Sequence, residues 1–507
     1  MEGTIVTELE HLEALPLDTL KSLAASSRTA NPLEAITILQ LLAERSHAEE
    51  DYESMQQWHS EISNIAMEFG FSEIAADSFY QSGLACIFLD EEVQSLRAFE
   101  EARRINSELG RDSEILACLL AETDCYIMLD DFEAIIRVGK QALDLSRVLE
   151  DFSAAARAAL KIAAAYQFLE DDPFGDLLEE NYRIALEYAE ESLRYSIDSG
   201  DTDGICESTL ECAEILTYLD KEDQALAILR EAISELDDGG NYTNMYPPLL
   251  SQLYAYESRC LFYLREYQAS LDSGSRALDY FFLHTPANEP TVFEADVRWT
   301  FSRCLTQLEQ FDDSLFEVQR AMKLAQQCGS YDLYFRLLEE QTHTLIKSGR
   351  DIEALMIAKG AIDEYESDVV QRMPSYIYCG FIIAAAHILE DLERWEELLE
   401  ITGKVHEIND YYLPVNRAIR IDYQRALALF ELENKSESIE ILNGILDSYD
   451  PNSSDWDIPS ALKLRGKILI HDKLTLAKKD FEEAIRMFNS QDCKEEAAEV
   501  EELLRTL

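Results

Sequence analysis

Residues 299–321 read WTFSRCLTQLEQFDDSLFEVQRA. Two small residues, Ser302 and Ser314, stand twelve apart across a polar break at Gln310-Phe311-Asp312, and Ala321 follows seven further on. Seven residues make two helical turns, so Ser314 and Ala321 fall on one helix face. The twelve-residue step leads from one helix through a tight turn into the next. Small side chains at those points let neighbouring helices approach closely. The stretch predicts a helical hairpin.

The same step of twelve and then seven recurs along the chain. Gly83, Ser95 and Ala102 repeat it, as do Ala213, Ala225 and Ala232, and Ser258, Ser270 and Ala277. Thr342, Ala354 and Ala361 fit with one larger residue. More degenerate sets are Ala43, Met55 and Ile62; Thr123, Ile135 and Ala142; Ala386, Leu398 and Val405; and Ala426, Ser438 and Ile445. Gly466, Ala477 and Ala484 lie one residue out of register. The polar breaks between helices, such as Asp90-Glu91-Glu92, Asp130-Asp131 and Glu433-Asn434, come at about forty residues, which suits a helical hairpin repeat.

Composition agrees. In 507 residues there are only 18 Gly and 11 Pro, few for a chain with many sheet turns, and 47% of residues are apolar, enough for a core. The net charge is −57, from 43 Lys and Arg against 100 Asp and Glu. That charge repels nucleic-acid backbones and anionic membranes, so neither is expected as a direct partner, and it steers basic surfaces inward. It also keeps a long surface soluble. Ten Cys without a CxxC pair, mostly within apolar helical stretches, read as small core residues of a reduced compartment. Residues 1–15 hold four Glu and no basic-then-apolar run, and Tyr378–Leu389 is too short to span a bilayer; a cytoplasmic protein is expected.

The small-residue triplets, the aromatic after the turn (Phe132, Tyr267, Phe311, Trp395) and the late Ala of the second helix resemble tetratricopeptide repeats, over roughly residues 31–507. The units run near forty residues rather than the family's usual thirty-four. The resemblance implies an all-α fold: a right-handed α-solenoid superhelix of about eleven helix-turn-helix repeats. The expected organisation is an N-terminal leader at 1–30 with one helix from Asp18 to Ser26, the repeat array at 31–492, and a capping helix at 493–507. Longer loops are expected at Asp171–Asp176, Asp237–Asn241, His284–Pro290 and Tyr449–Pro459.

Chemistry-bearing motifs are missing from the sequence. There is no phosphate-binding glycine loop, no HExxH, no GxSxG and no EF-hand spacing, and the eight His are scattered. No catalytic residue, metal ligand or cofactor is expected, and the chain reads as a non-enzyme.

In the resembled family, the first helix of each repeat lines the concave groove, and the position after the first small residue points into it. Carried over, these positions are Leu84, Asp124, Glu214, Arg259, Arg303, His343, His387, Leu427 and Lys467. Trp299, Arg336, Arg420, Tyr423 and Lys463 lie nearby on the same face. Basic residues concentrate in the second half, which has net charge −20, against −37 for residues 1–250. Arg259, Trp299, Arg303, Arg336, His343, His387, Arg420, Tyr423, Lys463 and Lys467 are therefore the candidate partner-binding residues. Two readings stay open. The row can take an acidic or C-terminal carboxylate segment of another protein or peptide, since Arg binds a carboxylate through two parallel hydrogen bonds. It can equally neutralise acidic neighbours such as Asp296 and Glu339. The clamp that this row resembles also uses Asn, and no Asn stands at these positions. A scaffold or adaptor is expected; a peptide-responsive regulatory sensor and a structural subunit of a larger assembly are the alternatives. A basic partner surface would suit the acidic first half.

Overall fold

The computed structural model describes residues 15–169, 176–236, 247–286, 289–366, 375–407, 415–448 and 457–507. These form α-helices, a single 3-10 turn at Lys404–Glu407, and no strand. The chain divides into two compact units, Met1–Leu264 and Arg265–Leu507. In the first unit the helices are α1 (Leu17–Ser27), α2 (Pro32–Ala48), α3 (Tyr52–Phe69), α4 (Ser72–Phe88), α5 (Glu92–Leu109) and α6 (Asp112–Met128). They continue as α7 (Phe132–Leu149), α8 (Phe152–Gln167), α9 (Asp176–Ser199), α10 (Thr202–Tyr218), α11 (Glu222–Leu236) and α12 (Pro247–Tyr263). The second unit starts with α13 (Tyr267–His284), α14 (Val292–Gln307), α15 (Phe311–Gln327), α16 (Tyr331–Lys347), α17 (Asp351–Glu366) and α18 (Ser375–Asp391). It ends with α19 (Trp395–Gly403), α20 (Val415–Glu431), α21 (Lys435–Ser448), α22 (Asp457–Leu469), α23 (Leu474–Ser490) and α24 (Lys494–Arg505).

Turn chemistry sets the punctuation. Asp51, Asp131, Asp151 and Asp201 each accept from a backbone N–H three residues on, at 3.0–3.2 Å, and so start α3, α7, α8 and α10. Glycines at positive φ, such as Gly70 and Gly110, end second helices. The turn inside several hairpins takes the left-handed conformation too, yet carries a carboxylate residue there: Asp90, Asp130, Asp220, Glu393 and Glu433, with φ between 53° and 64°.

The small-residue step is the packing rule of both units. Ser95 Oγ donates to the carbonyl of Gly83 at 2.8 Å, Ser314 to that of Ser302 at 2.9 Å, and Ser438 to that of Ala426 at 2.7 Å. In each case the second helix meets the backbone of the first where no bulky side chain intervenes. A Cβ on Gly83 would stand 2.7 Å from the ring of Phe99, and one on Gly466 2.5 Å from that of Phe481. Thiols continue the contact to the following hairpin: Cys125 Sγ lies 3.3 Å from Ser95 Oγ, and Cys304 Sγ 3.2 Å from Ser270 Oγ. The fold is thus an all-α array of helical hairpins. Each helix packs mainly on its sequence neighbours, and first helices also touch, as α6 with α8, α8 with α10, α14 with α16 and α18 with α20.

One hairpin departs from the twelve-residue step. Ala163, Ala185 and Ser192 are fully buried and play the three small-residue roles between α8 and α9, with about ten residues inserted before the second helix. Of the expected loops, 171–175, 237–241 and 449–456 lie outside the described residues. Asp457 to Pro459 belong not to a loop but to the first turn of α22, where proline costs no helical hydrogen bond. At the ends, α1 buries Leu20 and Ala24, and α24 buries Ala497 and Val500. No helix among the described residues is long and apolar enough to cross a membrane.

Candidate functional site

The first helices of the second unit carry most of the candidate residues, and three of these helices enclose a pocket of about 500 Å³. It lies against α16, α18 and α20. Ile346, Ile383 and Ala384 supply its apolar lining, and His343 and His387 border it, each with about half of its side chain exposed. His343 Nδ1 is 3.9 Å from Glu340 and His387 Nδ1 is 3.5 Å from Asp391. Lys347, Glu339 and Arg417 complete the polar lining.

Gly380 explains how the last two meet. It sits in α18, between the helices that carry Glu339 (α16) and Arg417 (α20). A Cβ there would fall 2.1 Å from Glu339 Oε1 and 2.9 Å from an Arg417 nitrogen. Without that side chain, Glu339 and Arg417 approach to 3.7 Å over the backbone of α18. Arg417 also donates to the carbonyl oxygen of Tyr376, and its guanidinium lies 5.9 Å from the centre of the Tyr376 ring. Burial raises the Glu339 carboxyl above the ordinary carboxylate range, against the pull of Arg417.

The other candidates fall into smaller groups. Arg303 lies over the ring of Trp299 at 5.7 Å, and the indole Nε1 of Trp299 is buried without a hydrogen bond. Arg336 pairs with Asp332 at 2.8 Å and lies 5.6 Å from the Tyr376 ring. Arg420 is bonded to the buried Asp457. Tyr423, next to them, is enclosed enough that burial raises its phenol. Lys463 and Lys467 share Glu499, at 2.5 and 3.7 Å, and hold its carboxyl below the usual range. Arg259 belongs to the first unit, where it covers the ring of Tyr256 at 4.9 Å; the Tyr256 hydroxyl donates to Glu214 at 3.1 Å. So the structure brings His343 and His387 into one pocket and gives Arg336, Arg420, Lys463 and Lys467 acidic partners of their own.

Lys347, Gly380 and Arg417 were missed from sequence, whereas Glu339, expected as an acidic neighbour of the basic row, lines the pocket and pairs with Arg417. Glu339 and Lys347 stand one helical turn either side of His343, and Ile383 stands one turn before His387, so the neighbouring turns of each groove position carried the missing signal. A buried charge network was missed too: Arg298 bonds Glu294 and Glu317, both at 2.7 Å, and Glu294 also meets Arg320 at 3.3 Å. Among the described residues no three His, Cys, Asp or Glu side chains gather as a metal site would require.

No family model matches the sequence, and no curated protein matches it. Solved structures do. The apo form of the quorum sensor NprR from B. thuringiensis is 13% identical over 72% of this chain and 96% of its own, with a TM-score of 0.47. A tetratricopeptide repeat protein from Parabacteroides merdae is 14% identical over 59% of this chain and 97% of its own, with a TM-score of 0.37. A Signal Transduction ATPase with Numerous Domains protein with a tetratricopeptide repeat sensor, from Pyrococcus horikoshii, is 14% identical; the match covers 78% of this chain and 55% of that one, at a TM-score of 0.49.

Proposed function

We propose that this chain is a non-enzymatic binding protein that seats a carboxylate-bearing segment of a partner on the first-helix face of its second unit. The pocket of about 500 Å³ between α16, α18 and α20 carries the reading. Its size is that of a ligand site rather than a packing gap. Its chemistry is mixed in the way a peptide end or an acidic side chain beside an aliphatic one requires. Ile346, Ile383 and Ala384 offer an apolar seat, while Arg417 and Lys347 offer cationic donors beside two histidines. A guanidinium has five N–H donors, so Arg417 keeps donors beyond those used on Tyr376. Ten cysteines, eight of them buried, fit residence in a reducing cytoplasm.

The test is direct titration of fluorescent acidic peptides, with free or amidated C-termini, against wild type and Arg417→Gln. A drop of about tenfold or more in the variant, with its helical circular dichroism retained, supports the site. Equal affinity for both proteins would remove it. Affinity capture from lysate with the same two proteins then identifies the partner.

One observation favours the sensor reading as a second possibility. The Glu339–Arg417 pair links alternate first helices across Gly380. A ligand carboxylate that competes for Arg417 would release Glu339 and alter the spacing of α16 and α20. Spin labels on those two helices should report a distance change on peptide addition. An unchanged distance at saturation rules this reading out and leaves a passive scaffold.

A further inference from the structure

The first unit carries a repeated aromatic feature that the groove reading leaves unused. Tyr52 stacks on Phe88 with ring centres 4.4 Å apart, Phe132 on Phe168 at 5.6 Å, and Tyr182 on Tyr218 at 4.9 Å. The ring planes of each pair lie within 23° of parallel. All three pairs have the same separation of thirty-six residues. Each joins a residue early in a second helix to one at the C-terminal end of the next first helix. The first helices α6, α8, α10 and α12 touch in succession, so their C-terminal ends lie along one edge of the unit. The outer rings of these pairs stay open to solvent: Phe88 is 57% exposed, Phe168 61% and Tyr218 55%. Three large rings left half-exposed at equivalent positions are more than scattered surface apolar residues.

The surroundings of the rings are mainly acidic, although Lys221 stands beside Asp220 and Arg183 beside Tyr182. Asp90 and Glu91 follow Phe88, and Asp220 follows Tyr218. At the middle pair, Leu129, Asp130, Asp131 and Leu169 join the two Phe rings in lining a notch of about 620 Å³. The unit lies within the more acidic half of the chain, with net charge −37 over residues 1–250. A ring face is itself the negative pole of the aromatic quadrupole. Ring faces rimmed by carboxylates suit a planar cation that stacks on the ring while its N–H groups reach the acids. Guanidinium has that shape; an ammonium group is a compact, strongly hydrated point charge.

We propose that this edge of the first unit is a docking surface for an arginine-rich segment of another protein, separate from the groove of the second unit. The arginines stack on the rings of Phe88, Phe168 and Tyr218, and the acids of the hairpin turns complete the contact. Bulk charge alone would treat arginine and lysine alike, and that difference decides the matter. The probes are nona-arginine and nona-lysine peptides, titrated at physiological salt against wild type and the triple variant Phe88→Leu, Phe168→Leu, Tyr218→Leu. Wild type should prefer nona-arginine by about tenfold. The triple variant should lose that preference while keeping its affinity for nona-lysine. Phe316→Leu, at an exposed ring of the second unit, should change nothing. Equal wild-type affinity for the two peptides, or a preference that survives the triple variant, overturns the proposal. If circular dichroism shows that the triple variant does not fold, Phe168→Leu alone is measured. An about twofold loss of nona-arginine affinity then supports the docking surface, and no loss overturns it.

Discussion

Glu211 shows how one side chain can tie stability to pH. It lies on α10, where Gln167 donates to its carboxylate and Glu214 stands one turn on. Burial, followed by the charge of Glu214, raises its carboxyl to about 7. Folded Glu211 therefore holds a proton across the range from 4.5 to about 7 in which the unfolded chain has released it, and the folded state loses stability as pH rises through that window. Glu211→Gln keeps the hydrogen-bonding shape without the charge. It should stabilise the protein by about 2 kcal/mol at pH 8 and have little effect at pH 4.5, as read from thermal unfolding at the two pH values. A gain of equal size at both would mean that packing, not charge, is the cause. Burial acts alike on the thiols: Cys118, Cys206 and Cys212 are pushed up to about 12, and Cys86 and Cys260 to about 11. They stay protonated and serve as small apolar side chains, which matches how they read in the sequence.

At the level of the element, the close approach of two helices rests on what is absent from one of them. Glycine inside a helix costs about 1 kcal/mol relative to alanine, so Gly83 within α4 is intelligible only through the fully buried ring of Phe99 that lies against it. Gly83→Ala should therefore destabilise the first unit by about 1–3 kcal/mol in spite of its better helix propensity. Gly83→Ala combined with Phe99→Leu should recover part of that loss, because the smaller side chain vacates the clash. Denaturant midpoints of the two single variants and the double variant give the coupling; simple additivity would show that the two residues do not compete for space. Hairpins of this kind were legible in the sequence because the rule is local. Ser302, Ser314 and Ala321 repeat at fixed spacing, and Ser314 meets the Ser302 backbone as that spacing requires. The hairpin of Ala163, Ala185 and Ser192 was not legible, because an insertion breaks the step while leaving the packing intact. The pocket was only half legible for a related reason. His343 and His387 follow from the repeat register, but the place of Arg417 depends on Gly380 in the preceding hairpin and on Glu339 in the one before that. No periodicity within one repeat encodes a contact that skips a hairpin.

Across the molecule as a whole, charge sets one behaviour that no single contact decides. There are 100 acidic residues for 43 Lys and Arg, so matching each cation to one carboxylate leaves more than half of the negative charge uncompensated. The mutual repulsion of these charges opposes the compact state. Salt acts on two terms of opposite sign. It weakens exposed ion pairs such as Arg104 with Glu101 and Glu108, which are worth little on a surface. It also screens repulsion among the excess carboxylates, whose range shrinks from about 30 Å at 10 mM salt to below 10 Å at 300 mM. With a net charge of −57 the second term dominates. The midpoint of thermal unfolding should rise by about 3 °C or more between 10 and 300 mM NaCl, with KCl giving the same result because screening depends on ionic strength rather than ion identity. The array adds a spatial signature. Contacts run mainly between sequence neighbours, so hairpins can open locally. Hydrogen exchange should slow most with salt in the more acidic first unit and least around α22 and α23, where Lys463, Arg465 and Lys467 already answer Asp480 and Glu499. A midpoint that falls with salt would show that surface ion pairs outweigh repulsion. A uniform slowing of exchange along the chain would show that charge excess is felt globally rather than hairpin by hairpin.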